Sequence, residues 1–296
     1  MNGVNWILDV NWNKNKKIMF VGVGVNLPSP AEHTSVRFVT NRHRIVSVVG
    51  SYDDTFARYA TVSSVKKDRG LETVDLHVSI KKLLHSYEMH NKSLPDSIII
   101  YRDHVSEVQF KQVMAYEVSK IIKSFETLDK KPKVTYIVVQ RWHNTRFLPA
   151  NRDDATSSLN IPVGTVVESI ITDPSKFDFF ICSQKKLSGV SIPSRYWVLF
   201  DENKFTADLI QEITFNMCFM HPSSTTSIRT PLPVKLANSR AQRARNHYTE
   251  AFEVMKRDVE NLTDENEIRR RKQLFTNRVN QLVTVNKKLS MRLYCI

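Results

Sequence analysis

An α/β protein, with a mixed sheet flanked by helices and a helical C-terminal region, is what this 296-residue sequence predicts. Three observations carry the expectation. Strand-like runs come first, strands and helices then alternate, and the last third is helical, the order of a sheet core with peripheral helices. Ile98-Ile99-Ile100-Tyr101 reads as a buried strand with Asp103 at its end. Ser106 and Glu107 then open a helix predicted to run to about Glu126, with Val108, Val113, Met114, Val118, Ile121 and Ile122 as its apolar face. A carboxylate at the carboxyl end of a buried strand, facing a helix start, sits where open α/β sheets place active-site groups.

The elements follow in order. Lys17 to Val25 is a strand stopped at Asn26, with Pro28 and Pro30 just beyond. Arg44 to Tyr52 and Arg58 to Lys66 are two more, joined by the turn Asp53-Asp54-Thr55. A helix from about Glu72 to Met89 carries Val74, Val78, Leu83 and Leu84 near helical spacing. After the Ile98 strand and the Ser106 helix, Lys133 to Gln140 is a buried strand, and Thr165 to Ile171, Phe177 to Ser183 and Tyr196 to Phe200 supply three more. Thr206 to Phe219, about Val234 to Val259, and Glu265 to Leu293 read as helices, and Ala150 to Leu159 as a polar loop. Gly22 and Gly24 invite a dinucleotide-binding reading. The third glycine is missing and prolines fall where the helix should start, so close packing against the strand explains the pair better.

Composition narrows the function. With 43 Lys+Arg against 30 Asp+Glu the formal charge is +13, which points to a polyanion, nucleic acid before membrane. Cys182, Cys218 and Cys295 form neither a CxxC pair nor a disulfide framework, as expected in a reducing compartment, cytoplasmic or nuclear. No basic, apolar leader opens the chain, and no apolar run approaches the ~20 residues that span a bilayer. Arg269-Arg270-Arg271-Lys272 reads as a solvated helix face or a localisation signal.

The run Tyr101-Arg102-Asp103-His104-Val105-Ser106-Glu107-Val108-Gln109-Phe110 resembles the Y-R-D-G-V-S-E-x-Q-F signature of the Piwi domain of Argonaute proteins, with His104 at the glycine. Gln140 to Arg146 is similar to Q-K-R-H-H-T-R, Asn160 to Val167 to N-I-P-P-G-T-V-V, Phe177 to Ser183 to F-D-F-Y-L-C-S, and Tyr196 to Asn203 to Y-H-V-L-W-D-D-N. Arg243 to His247 matches R-A-R-Y-H. Order and spacing agree from about Gly3 onward. The resemblance implies a ribonuclease-H-like fold, a single Piwi domain over 1–296 without the middle, 3′-end-binding or N-terminal Argonaute domains, and RNA as partner, with other silencing proteins beside it.

Active members of that family cut a guide-paired RNA with two divalent metals held by three acids and a histidine, hard ligands suited to Mg²⁺. The resemblance places these positions at Asn26, at Glu72 (Leu71 by an ungapped count), at Asp103 and at Trp197. An amide lacks the bridging charge, and an indole N–H cannot bind a metal. The expectation is therefore a non-cleaving domain of RNA-mediated silencing, without cofactor, in which Asp103 alone could touch a metal. The replacements resemble those of catalytically degraded worm-type Argonautes. Alternatives are a metal-dependent endoribonuclease using Asp103, Glu72 and a substitute such as Glu32, with Mg²⁺, or a decayed interaction module. Asp103 also reads as a strand-end carboxylate capping the helix at Ser106.

For RNA, the resemblance and the charge together nominate Arg141, His143, Asn144, Arg146, Lys204, Arg229, Arg243 and Arg245 as a basic lining. Two family arginines fall on Ser223 and Thr226 and are lost. Trp142 and Trp197 read as packing residues rather than base-stacking platforms.

Overall fold

β-branched residues dominate the first strand, and alternation decides which face of the sheet each one meets. The computed structural model describes residues 7–8, 16–27, 43–67, 73–186, 188–260, 262–286 and 289. β1 (Ile18–Asn26), β2 (His43–Ser51) and β3 (Tyr59–Lys67) form an antiparallel meander. β4 (Ser97–Asp103) lies parallel to β1, and β5 (Lys133–Gln140) parallel to β4. β8 (Ser194–Asp201), β7 (Asp178–Cys182) and β6 (Thr165–Val167) complete the sheet by antiparallel pairing. The order is β3-β2-β1-β4-β5-β8-β7-β6, the mixed sheet the sequence predicts.

Helices cover both faces. Met19, Val21, Val23 and Val25 point toward α1 (Leu76–Asn91) and the helical segment 107–125. The alternate residues Ile18 and Phe20, with Ile99 and Tyr101 of β4, pack under α4 (Ala207–Asn216) and the first turns of α5 (Leu232–Glu260). Gly22 and Gly24 share that second face. A Cβ on Gly22 would lie 2.1 Å from the Pro233 carbonyl oxygen, and one on Gly24 2.6 Å from the Ala237 carbonyl carbon. The glycines thus let α5 rest directly on β1. The far half of α5 pairs with α6 (Glu265–Val283) through Tyr248, Phe252, Met255, Ile268 and Val279.

Several boundaries depart from the sequence reading. The helix after β4 begins as a 3₁₀ turn (Glu107–Gln109), so Val108 is 92% exposed instead of lining the apolar face. It continues as α2 (Phe110–Val113), a π-helical turn (Met114–Val118) and α3 (Ser119–Phe125). β6 is only three residues long, because Ile170 turns fully into solvent at φ +69°. The last helix ends at Val283, where Thr284 takes an extended conformation. Most of the predicted continuation to Leu293 falls outside the described residues. No helix among the described residues is long and apolar enough to cross a membrane.

Candidate functional site

β1 and β4 run side by side, so Asn26 and Asp103 finish at the same edge of the sheet. The register puts Asp103 beside Gly24, and the lost side chain there is what allows Asn238 of α5 to come in. Asn238 Nδ2 donates to Asp103 Oδ2 at 2.7 Å. Arg141, just past β5, pairs with the same oxygen at 2.6 Å. The His104 backbone N–H donates to Asp103 Oδ1 at 2.8 Å, and His104 Nδ1 lies 3.3 Å from Oδ2. His104 has φ +61°, the left-handed conformation that suits the family's glycine at this position.

Asp103 is 1% exposed. Burial works to raise its pKa, but the His104 hydrogen bond and charge, then Arg141 and Asn238, outweigh it and hold the carboxyl at about 2. The group is therefore a fixed carboxylate surrounded by donors. It does not cap the following helix, where the Ser106 N–H instead donates to Gln109 Oε1 at 2.9 Å. Asn26 is equally engaged. Its Oδ1 accepts from Arg245 Nε at 2.9 Å, its backbone oxygen accepts from Arg245 Nη2 at 2.9 Å, and its Nδ2 donates to Gln242 Oε1 at 2.8 Å.

Trp197 is not in this site, which corrects its alignment with the family histidine. Its ring belongs to the core on the α1–α3 face, 5.3 Å from Phe110. Asp103 opens toward α5, on the other face of the sheet. The Arg195 guanidinium covers the indole at 4.0 Å, and Nε1 donates to Gln140 Oε1 at 2.9 Å. Asn238 is the side chain that stands against Asp103, and sequence reasoning missed it. Glu72 and Glu32 lie outside the described residues. Among the described residues, no three His, Cys, Asp or Glu side chains gather as metal ligands.

Above Asp103 opens a cleft of about 650 Å³. Lys235, Asn238, Ser239, Gln242, Arg243 and Asn246 form its α5 wall, a stripe at helical spacing, and Val25, Asn26, His104, Arg141 and Thr230 line the rest. Among the described residues that line it the cations are Arg141, Lys235 and Arg243, and none is a carboxylate. Arg245 is buried beneath, holding Asn26 and the His43 carbonyl.

The remaining nominated residues separate. Asn144 and Arg146 are exposed on the loop after β5, with Arg146 Nη1 donating to the His143 and Thr145 carbonyls at 2.9 and 2.7 Å. His143 turns inward, its Nε2 3.1 Å from the Pro193 carbonyl and its ring 5.5 Å from Phe180. Burial lowers its pKa, the Pro193 contact works against that, and Arg229, Arg146 and Arg195 lower it further. Arg229 is a clamp that donates to the Arg141 and Pro193 carbonyls. Lys204 is not brought to the site at all. It follows β8, whose Asp201 pairs with Thr135 near the start of β5, at the opposite end of the sheet from Asp103. The reason is strand direction, since β8 runs antiparallel to β5.

Beside the site, Glu117 is buried within the π-helical turn. It accepts from Arg102 Nε at 3.2 Å, from the Tyr136 hydroxyl at 2.5 Å and from the Val74 N–H at 2.9 Å. Arg102 also donates to the Asp103 carbonyl at 2.5 Å, so this pair braces the backbone from which the site carboxylate projects.

Residues 1–249 match the sequence profile of the Piwi domain. The chain belongs to the Piwi domain family. Over 211 residues it is 41% identical to protein argonaute 18 of Oryza sativa subsp. japonica, an alignment covering 70% of this chain and 19% of the rice protein. Among solved structures it resembles the C-terminal lobe of a budding yeast Argonaute, with 30% identity and a TM-score of 0.79 over 95% of this chain and 54% of that one. It is also similar to Kluyveromyces polysporus Argonaute with a guide RNA, at 29% identity and a TM-score of 0.78 over 97% of this chain and 31% of that one. The chain thus spans about a fifth of the rice relative's length. The fold is the ribonuclease-H-like one these Piwi domains share, so the family expectation holds.

Proposed function

We propose that this Piwi domain binds RNA in RNA-guided silencing without cutting it, using the cleft beside Asp103 as part of a phosphate-tracking surface. The observation that carries the reading is the state of the two strand-end positions. The Asp103 carboxylate is occupied by Arg141, Asn238 and His104, and the Asn26 carbonyl by Arg245. A Mg²⁺ pair needs several hard anionic oxygens facing one space. Among the described residues these positions offer one carboxylate, covered by protein donors and flanked by two amides and two guanidiniums, which does not fit such a pair. The same cations suit phosphate, and such contacts give affinity without sequence choice. The Kluyveromyces polysporus Argonaute, similar over nearly all of this chain, carries a guide RNA, and this supports RNA as the polyanion.

The test has two arms. Affinity for single-stranded and duplex RNA, measured across a salt series, is expected to be weak and to fall steeply with salt. Incubation of a guide–target duplex with Mg²⁺ or Mn²⁺ is expected to leave the target intact. Tight, salt-insensitive binding contradicts the first expectation. Cleavage that disappears on Asp103→Ala overturns the second.

A further inference from the structure

The segment after β5 has strand-like alternation without a strand partner. Arg141, His143, Thr145 and Phe147 are partly buried, while Trp142, Asn144, Arg146 and Leu148 face solvent. The inner row is fixed. His143 and Phe147 both meet the Phe180 ring edge-on at 5.5 Å, and Arg229 holds the Arg141 carbonyl. The outer row is therefore presented on a rigid support, with alternate side chains roughly 6–7 Å apart if the backbone is fully extended.

Trp142 is 81% exposed, so packing does not explain it, against the sequence expectation. The guanidinium of Arg141 lies 5.9 Å from its ring centroid, at the outer limit of a cation–π contact. That same Arg141 reaches into the cleft and pairs with Asp103. The stretch from Arg141 to Asn151 contains no Asp or Glu. An exposed indole on a fixed loop, flanked by arginines and free of acids, joins the two elements of single-strand recognition: a stacking surface and a positive track.

We propose that Trp142 is a stacking platform for an unpaired nucleobase, with Arg146, two outer-row positions on, facing a phosphate farther along the strand. The proposal rests on the RNA binding proposed above and names the base-contacting residue of that surface. A protein partner is disfavoured because the outer row sets Asn144 and the cation Arg146 between its two apolar side chains, Trp142 and Leu148, instead of presenting a continuous apolar patch.

The experiment is a fluorescence and affinity titration of the whole chain with a single-stranded RNA oligonucleotide and with an abasic oligonucleotide of the same length. Stacking is expected to quench a saturable part of the tryptophan emission, and Trp142→Phe removes that part while keeping affinity within about threefold. Trp142→Ala is expected to weaken binding about tenfold, the lower range for one stacked base, and to leave the slope of log K against log salt unchanged. The abasic oligonucleotide should bind the wild-type chain as weakly as the normal one binds Trp142→Ala. Arg146→Ala should instead reduce the salt slope by about one. RNA binding with no Trp142-dependent quenching, or with equal affinity in Trp142→Ala, overturns the platform and leaves the RNA-binding reading standing. No RNA binding at low salt removes both. Trp142 is exposed, so an unchanged thermal midpoint checks that each variant is folded.

Discussion

Replacing Asp103 by asparagine should change how stability depends on pH more than it changes the fold. In the folded chain the carboxyl is held at about 2, against an ordinary value of 3.8. That depression corresponds to about 2 kcal/mol of stability at neutral pH, at 1.36 kcal/mol for each pKa unit. Because the folded-state pKa is the lower one, the unfolded chain binds more protons between the two values. The contribution is complete above pH 5, declines as pH falls through 4, and is gone below about 2. About half of it is lost by pH 3. The side chain is almost fully buried, so solvent screening removes little of this. Urea unfolding of the wild type and Asp103→Asn at pH 7, 5, 4 and 3 measures it. The stability gap between the two should shrink by about 1 kcal/mol from pH 7 to pH 3. A gap that stays constant, or widens in acid, would refute the donor arrangement around Asp103.

Four further substitutions test other parts of the fold. Trp197→His should cost about 3 kcal/mol through lost packing against Phe110 and Arg195, with no stoichiometric Mn²⁺ binding by calorimetry; a gain of one tightly bound ion would return position 197 to the site. Gly22→Ala puts a methyl group 2.1 Å from the Pro233 carbonyl oxygen, so α5 must shift, and a loss of about 3 kcal/mol in denaturant unfolding is expected; an unchanged midpoint would mean the helix does not rest on β1. Glu117→Gln weakens the buried Arg102 pair and should destabilise by about 3 kcal/mol, whereas Tyr136→Phe, which removes one hydrogen bond to the same carboxylate, should cost about 1 kcal/mol; equal losses would contradict the assigned hierarchy.

Element order was legible because β-branched runs, their polar boundaries and the apolar spacing of the helices all act locally. His104 carried its own signal, since a residue at the family's glycine position must adopt the left-handed conformation found there. What stayed hidden was long-range. Asn238 reaches Asp103 only because α5 settles on Gly22 and Gly24, more than two hundred positions earlier in the chain. A signal for this existed in the helix-spaced polar stripe Lys235, Asn238, Gln242 and Asn246, paired with the two strand glycines, but nothing local says which helix covers which strand. Trp197 was misplaced because a strand motif does not reveal which face of the sheet holds the site, and adjacent residues point to opposite faces. Lys204 was misplaced for a related reason, since the direction of β8 depends on its pairing. Glu117 stands four residues from both Val113 and Ile121, so an acid on the apolar stripe could have been noticed as a buried ion-pair partner for Arg102.

The seating of α5 on β1 also sets an order of assembly during synthesis. β1 leaves the ribosome before the rest of the sheet, and β2 can pair with it soon after, but the helix that covers its glycine face begins only at Leu232. At ordinary elongation rates the intervening stretch, roughly 200 residues, takes about 10 to 40 s to make. Through that interval the central strand has one face without its native cover, and Asp103 has its strand before it has Asn238. The cleft is thus completed among the last parts of the domain, and a chain stopped before α5 would carry the sheet without its site.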